Sequence, residues 1–567
     1  MRKKTAAVIL FFFMIGCVST VSAITAHPSP MDGRIRVWLQ SLGQRTALGM
    51  TIAGAYSVDG DRGFQFKPGA EVRLGIEDGS ITLWAGGAAI DMGGGFTLKR
   101  HLDSDGGAGG VYIHESEKDT LYQGDLTFGI AGGVNLRAIL TIDIEEYLLG
   151  VLPYEMSDLF PLEALKAQAV AARSYAMQRK QRNASQDYDL VDTPADQVFK
   201  GFDERYVKPI QAVHETRGVV GMIGDQFAEL FYSASNGGQT ALATDVWGRG
   251  EYDYLDMRDD PYDLENPLSV QKRATVPKDG LIVTDPLKNI LLREAETLLT
   301  QAGTMSVDDT LELIEVLGVE PAEPLYGGGS RQFSRVAFLL RAAVGEQTVE
   351  EPIPVSLLYY DELRHALDIG INAGTFELVT VEETEDGFVI VARRYGHGVG
   401  LSQRGAQQMA GLHGKSYLDI LAFYYPGLEL TKVTWLPNRL VRASALPESL
   451  GYAAARPTPA PTPAPLPPLA EGEYYAVVTI DGVDSTLNVR AEPSREADIL
   501  GRIRTGARLI VAEEMEDGWA KMKTAELEGY VLMEFITNEN EPLETETAAQ
   551  PLTTPSFENV DETVFVF

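Results

Sequence analysis

One stretch constrains the chain more than any other: EYLLGVLPYEMSDLFPLEALKAQAVAARSYAMQRK, from Glu146 to Lys180. Leu162, Leu165, Ala169, Ala172 and Ala176 recur at spacings of three and four, so they share one face of a helix. Most of that face is alanine, which lets another element approach closely. Lys166, Gln168, Arg173 and Gln178 fall largely elsewhere on the helix. Pro161 suits the first turn, and Glu163 suits the positive end of the dipole. Upstream, Pro153 and Pro161 bracket a short loop, since neither ring tolerates a helix interior. Glu155 is expected in that loop, with Leu152, Leu159 and Phe160 nearby. A carboxyl among apolar neighbours has its ionised form disfavoured, so its pKa rises. A general acid working at neutral pH requires that. The plain alternative is a solvated loop acid, the commoner fate of a glutamate.

Around this stretch the chain divides by composition. Residues 1–26 read as an export signal or membrane anchor, with Arg2, Lys3 and Lys4 before an apolar run. Three outcomes stand: cleavage after Val21-Ser22-Ala23, lipidation at Cys17 in a lipobox-like Met14-Ile15-Gly16-Cys17, or an uncleaved span. All three place the rest outside the cytoplasmic membrane. Cys17 is the sole cysteine, so a mature chain starting beyond it has no thiol for disulfides, nucleophilic attack or zinc. Residues 34–145 are β-rich: IRVWLQ, FTLKR, GVYIHE and LTFGI alternate between Gly clusters. In FYSASNGGQT, Phe231, Ser233 and Ser235 alternate as in a strand, and the serines offer hydroxyls to a sugar or simply end the strand. Tyr252 and Tyr254 follow, with core packing as the common use of such rings.

Two helices are expected between residues 285 and 318, one starting at Asp285-Pro286 and one between Ser306 and Gly318. From Phe376 a hairpin is expected, turning at Glu385-Asp386-Gly387. It feeds GHGVGLSQRGAQQMA, Gly396 to Ala410, where Ser402 is expected to cap a helix. Without a following Lys-Ser/Thr, this Gly run is not a phosphate loop. A lone histidine such as His397 is by default a hydrogen-bonded structural group. Leu-Ser-Gln is not a nucleophile elbow, so a serine hydrolase has little support. From composition, residues 455–469 are expected to be a stiff proline-rich linker, 474–538 a small all-β unit, and 539–567 an acidic, disordered tail. The net charge of −33 argues against a nucleic-acid partner and is compatible with an uncharged glycan.

Three motifs then occur in a telling order: YLLGVLPYEM with PLEALKAQAVAARSYA, GHGVGLSQRGAQQMA, and YYPG at Tyr424 to Gly427. Together they resemble the SpoIID/LytB family, which contains the sporulation lytic transglycosylase SpoIID and the amidase enhancer LytB. The likeness spans residues 34–440, divided into a β-rich part at 34–145 and a core at 146–440. It implies an α+β fold, a mixed β-rich core around the long Ala-rich helix. LNVRAEPS, ILGRIRTGARLIVAEE, GWAKMK and GYVLMEFI resemble the bacterial SH3 family. That implies a small all-β SH3-like barrel binding wall peptides, or a plain spacer.

Glu155 matches the family's catalytic position. The implied activity is a peptidoglycan lytic transglycosylase, cleaving MurNAc-GlcNAc strands to 1,6-anhydro ends in wall remodelling or sporulation. One carboxyl suffices for that reaction, because the sugar's own 6-hydroxyl replaces water. The alternative is a non-enzymatic enhancer of a cell-wall amidase. Gln197, Ser235, Tyr254, His397, Ser402 and Gln403 are expected to bind substrate, with His397 beside Glu155. Some relatives hold zinc near the segment matching Leu190 to Gln197; here it reads LVDTPADQ, so neither metal nor cofactor is expected. The implied partners are glycan strands, an amidase under the alternative, and wall peptides. The implied location is the cell wall or the outer face of the cytoplasmic membrane.

Overall fold

A computed structural model describes residues 24–58, 65–102, 109–114, 120–250, 252–437, 440, 469–470, 472–479, 486–495, 497–504, 508–515, 517–524 and 527–538. The expected export signal up to residue 23, the proline-rich linker up to 468 and the acidic tail lie outside the described residues. Contacts divide the chain into two compact units, with the break after Ala453.

In the first unit, a seven-stranded sheet delivers the helical core. Its order is Leu190–Val191, Arg34–Trp38, Asn135–Asp143, Asp125–Ala131, Gly95–His101, Ala55–Val58, Gln65–Phe66. Along Asn135–Asp143, Leu136, Ala138, Leu140 and Ile142 are buried and alternate with partly exposed residues, the period of a half-buried strand. The strand runs directly into helix Ile144–Glu155, where the Asp143 carboxylate accepts the Glu145 N–H at 3.0 Å as N-cap.

The expected loop around Glu155 is therefore a helix end. Pro153 lies inside the helix and Glu155 is its last residue. Leu148, Val151 and Leu152 are fully buried. At roughly 1.5–3 kcal/mol each, their burial exceeds the ~3 kcal/mol an internal proline costs. The Ala-rich helix is Leu162–Arg182, with Pro161 as its N-cap. Its burial runs all round rather than along one face: Gln168, Arg173 and Ser174 are as enclosed as the alanines. Helices Ile144–Glu155, Val207–Glu215, Gln403–Gly411 and Tyr417–Tyr424 and strand Val219–Ile223 all pack on it. Small side chains on every side permit that crowding.

A second lobe of this unit, residues 276–392, has its own hydrophobic core, from Val276 to Ala392. Strand Gly387–Arg393 pairs with Gln271–Pro277 on one side and Leu378–Glu383 on the other, the latter forming the expected hairpin. Helix Asp285–Gln301 starts where Asp285-Pro286 predicts. The second expected helix is instead part of strand Leu311–Pro324, paired with Phe333–Val344. Leu311 and Leu313 are buried while Glu312 and Ile314 are exposed, so a period of two overrides the flanking Ser and Gly signals.

In the second unit the expected closed barrel is not formed. Seven strands follow the order Ile499–Arg504, Thr486–Arg490, Glu528–Leu532, Trp519–Lys523, Arg508–Glu514, Tyr474–Val478, Ile536–Asn538. Among the described residues the two end strands do not pair, so the sheet stays open. Ile536–Asn538 is only three residues long and reaches just Tyr474–Val478. Arg490 and Tyr530 make the single pair that joins Thr486–Arg490 to Glu528–Leu532. The architecture is thus mixed α/β, with several sheets and, among the described residues, no closed barrel. Among the described residues, no helix is long and apolar enough to cross a membrane.

Candidate functional site

Glu155 is 1 % exposed. One carboxyl oxygen, Oε1, accepts the Val198 N–H at 3.1 Å, while Oε2 has no hydrogen-bond partner. Burial pushes the pKa up to about 8; the Val198 N–H, the Tyr232 hydroxyl and the Gln403 side chain pull it down without offsetting that. The group therefore keeps its proton at neutral pH.

Two of the sequence-predicted residues lie near it. Gln403, the first residue of helix Gln403–Gly411, faces the carboxyl. Gln197 donates to the Tyr232 hydroxyl at 3.0 Å and to the Ala172 carbonyl at 3.2 Å, and accepts from the Tyr147 hydroxyl at 3.3 Å. It is fully buried, so its hydrogen bonds are internal.

Ser235 and Ser402 meet, but on a buried acid. Ser235 donates to one oxygen of Asp263 at 2.9 Å and Ser402 to the other at 2.5 Å. Ser402 also caps its helix by accepting the Gly405 N–H at 3.0 Å, as its position predicts. Both serines are wholly enclosed. Tyr254 is buried as well, its hydroxyl donating to the Glu229 carbonyl at 3.2 Å.

The glycine run brings His397 to strand Tyr232–Ser233, which pairs in parallel with Leu401–Ser402. Gly400 has φ +72, and a Cβ there would sit 2.2 Å from the Phe231 carbonyl oxygen, so only glycine allows this approach. His397 Nδ1 accepts the Val399 N–H at 3.0 Å, which leaves the proton on Nε2 in the neutral ring. Burial and the nearby Arg394 push its pKa down to about 4. No hydrogen bond joins His397 to Glu155; they share Tyr232, whose hydroxyl faces the carboxyl and whose carbonyl faces the imidazole.

Beside His397 opens a cleft of about 490 Å³. Tyr175, Arg179, Tyr232, Ser233, Trp247, Tyr252, Phe376 and His397 are among its lining residues; Glu155 is not. The Trp247 ring centroid lies 4.6 Å from that of Phe231 and 5.1 Å from that of His397. Sequence reasoning favoured Ser235 and Tyr254, while the side chains at the cleft are Ser233 and Tyr252. It did not single out Trp247.

Two buried arginines also escaped it. Arg173 pairs with Glu145 at 2.8 Å, and Glu145 further accepts the Gly218 N–H at 2.9 Å and the Trp435 indole at 2.7 Å. Arg394, at φ +84, donates to the Asn236 carbonyl, the Gln239 carbonyl and Gln332 Oε1, so it clamps the core to the second lobe. Neither partner set has a local sequence signal.

Comparison with known proteins adds to this geometry. The family model described as Stage II sporulation protein matches residues 133–222, and that of the bacterial SH3 domain matches residues 485–537. The amidase enhancer of Bacillus subtilis is 29% identical over 303 residues, 50% of this chain and 40% of that protein's length. Stage II sporulation protein D of the same organism is 26% identical over 318 residues, 53% of this chain and 78% of the relative. Its counterpart in Bacillus amyloliquefaciens is 26% identical over 311 residues, covering 52% and 76%. The chain is a SpoIID/LytB-like protein with a C-terminal bacterial SH3 domain.

Proposed function

We propose that this SpoIID/LytB-like protein acts outside the cytoplasmic membrane on the bacterial cell wall, holding a glycan strand and enhancing a wall amidase. The observation that carries this reading is the enclosure of Glu155. Its carboxyl does not line the cleft, and a general acid must come within hydrogen-bond reach of the oxygen it protonates. The likeness to the amidase enhancer, over half of this chain, supports the same direction. On this reading the C-terminal module adds contacts to wall peptides.

One observation favours a second reading, the lytic transglycosylase. A glutamate with its pKa near 8 still carries a proton at neutral pH. In that mechanism Glu155 protonates the glycosidic oxygen as the C1–O bond breaks. The muramic N-acetyl group supports the cationic carbon. The carboxylate then takes the proton of the 6-hydroxyl, whose oxygen closes the 1,6-anhydro ring. Glu155 would have to reach the cleft past Tyr232.

The test is mass spectrometry of products from peptide-free glycan strands and from whole sacculi, with and without a wall amidase. Faster amidase release without 1,6-anhydro ends is expected. Anhydro ends that vanish in Glu155→Gln would establish the second reading instead.

A further inference from the structure

We infer that the cleft contains a sugar-stacking site, built from Trp247, Tyr252 and Ser233 and faced by Phe376 of the second lobe, that takes an N-acetylhexosamine ring of a glycan strand. This rests on the cell-wall reading for the identity of the sugar, and it holds whether or not Glu155 is catalytic.

Trp247 ends the short helix Ala243–Trp247, where Gly248 in the left-handed conformation turns the chain away. Phe231 and His397 hold its indole, yet 39 % of the residue remains exposed, on the cleft. A large ring fixed by two others loses little freedom when a ligand covers it, so it is a preorganised platform. Ser233 supplies the polar contact. It is 7 % exposed, lines the cleft, and its Oγ has no hydrogen-bond partner. A buried hydroxyl of this kind is costly unless something bonds to it. Tyr252 adds a ring whose hydroxyl is already committed to Glu229 at 2.7 Å, so it presents apolar surface rather than a free donor.

A pyranose matches this set. It has an apolar C–H face for an indole and a rim of hydroxyls that both donate and accept. The charges lining the cleft are largely paired: Arg179 with Asp196 at 2.8 Å, and Arg182 with Glu229 at 3.8 Å. Among the described residues only Arg249 of the cleft arginines lacks an acidic partner. That balance suits a neutral ring better than a polyanion. Ser235 and Ser402, by contrast, are taken up by Asp263 and have nothing left to offer a ligand.

The experiment is titration of the full chain with chitohexaose, a neutral N-acetylhexosamine oligomer, followed by tryptophan fluorescence and calorimetry. The variants are Trp247→Ala, Trp247→Phe and Ser233→Ala, with melting curves for each. The wild type should bind with a change in emission that Trp247→Ala lacks. Trp247→Ala should weaken binding about tenfold or more, Trp247→Phe by less, and Ser233→Ala about three- to tenfold, the worth of one hydrogen bond. If Trp247→Ala does not fold, the other two carry the test. Wild-type binding that these variants leave unchanged would overturn the site but leave the cell-wall reading standing. A wild-type chain that binds neither chitohexaose nor peptide-free glycan strands would overturn both. Binding confined to wall peptides would overturn the sugar assignment.

Discussion

Glu155 has lost water on all sides, and the Val198 N–H, the Tyr232 hydroxyl and the Gln403 side chain do not make up for it. Its folded pKa of about 8 lies above its ordinary 4.5, so the folded state holds a proton that the unfolded chain releases first. Stability therefore falls as pH rises between those values, by on the order of 1 kcal/mol per pH unit. Asp192 and Asp260, both raised to about 6 by burial, act in the same direction over a lower range. The difference between wild type and Glu155→Gln isolates the glutamate. Melting curves from pH 5 to 8 should show the variant losing less stability than the wild type. Equal slopes would mean that the carboxyl is solvated. Tyr232→Phe probes the same spot. The hydroxyl pulls the Glu155 pKa down, so its removal should raise that pKa further, as read by carboxyl infrared titration. It also removes one of Gln197's partners, at a cost of about 1 kcal/mol in urea unfolding.

Helices Ile144–Glu155 and Leu162–Arg182 are locked by a buried ion pair at the end remote from Glu155. Arg173 and Glu145 are almost wholly enclosed, and Glu145 accepts from four donor groups: Arg173 Nε, Arg173 Nη2, the Gly218 N–H and the Trp435 indole. Replacing Arg173 by Met would leave a buried carboxylate short of its counter-charge. The expected loss is roughly 3–5 kcal/mol in urea denaturation. The pair Arg173→Met, Glu145→Gln should lose less than the two single losses added, because the stranded charge is gone. The parallel pairing of Tyr232–Ser233 with Leu401–Ser402 depends on Gly400 in a similar all-or-none way. Gly400→Ala adds a left-handed strain of roughly 1–3 kcal/mol to a clash with the Phe231 carbonyl, and circular dichroism melting should fall accordingly. An unchanged melting temperature would show that the loop has room to shift.

At the scale of the whole molecule, the two compact units are expected to unfold separately, since each has its own buried core. Calorimetry should resolve two transitions, and a chain ending near Leu440 should retain the first alone. Much of the fold is legible in the sequence. The alanine run marked its helix, Asp285-Pro286 and Ser402 marked helix starts, and Glu385-Asp386-Gly387 marked a hairpin turn, because these signals act within a few residues. The Glu155 motif pointed to a desolvated acid for the same reason: its apolar neighbours are near in sequence. What tertiary structure decided is the facing of side chains and the choice of partners. Alternation puts Ser233 and Ser235 on one side of a strand, yet only Asp263, 28 residues on, turns Ser235 into an internal anchor and leaves Ser233 to the cleft. Pro153 forbids a helix locally, and burial of Leu148, Val151 and Leu152 against distant elements overrules it. Closure of the C-terminal sheet likewise depends on whether its two end strands meet, and among the described residues they do not. Periodicity fixes which residues face the same way. Which of those faces meets a ligand is set by contacts between residues far apart in the chain.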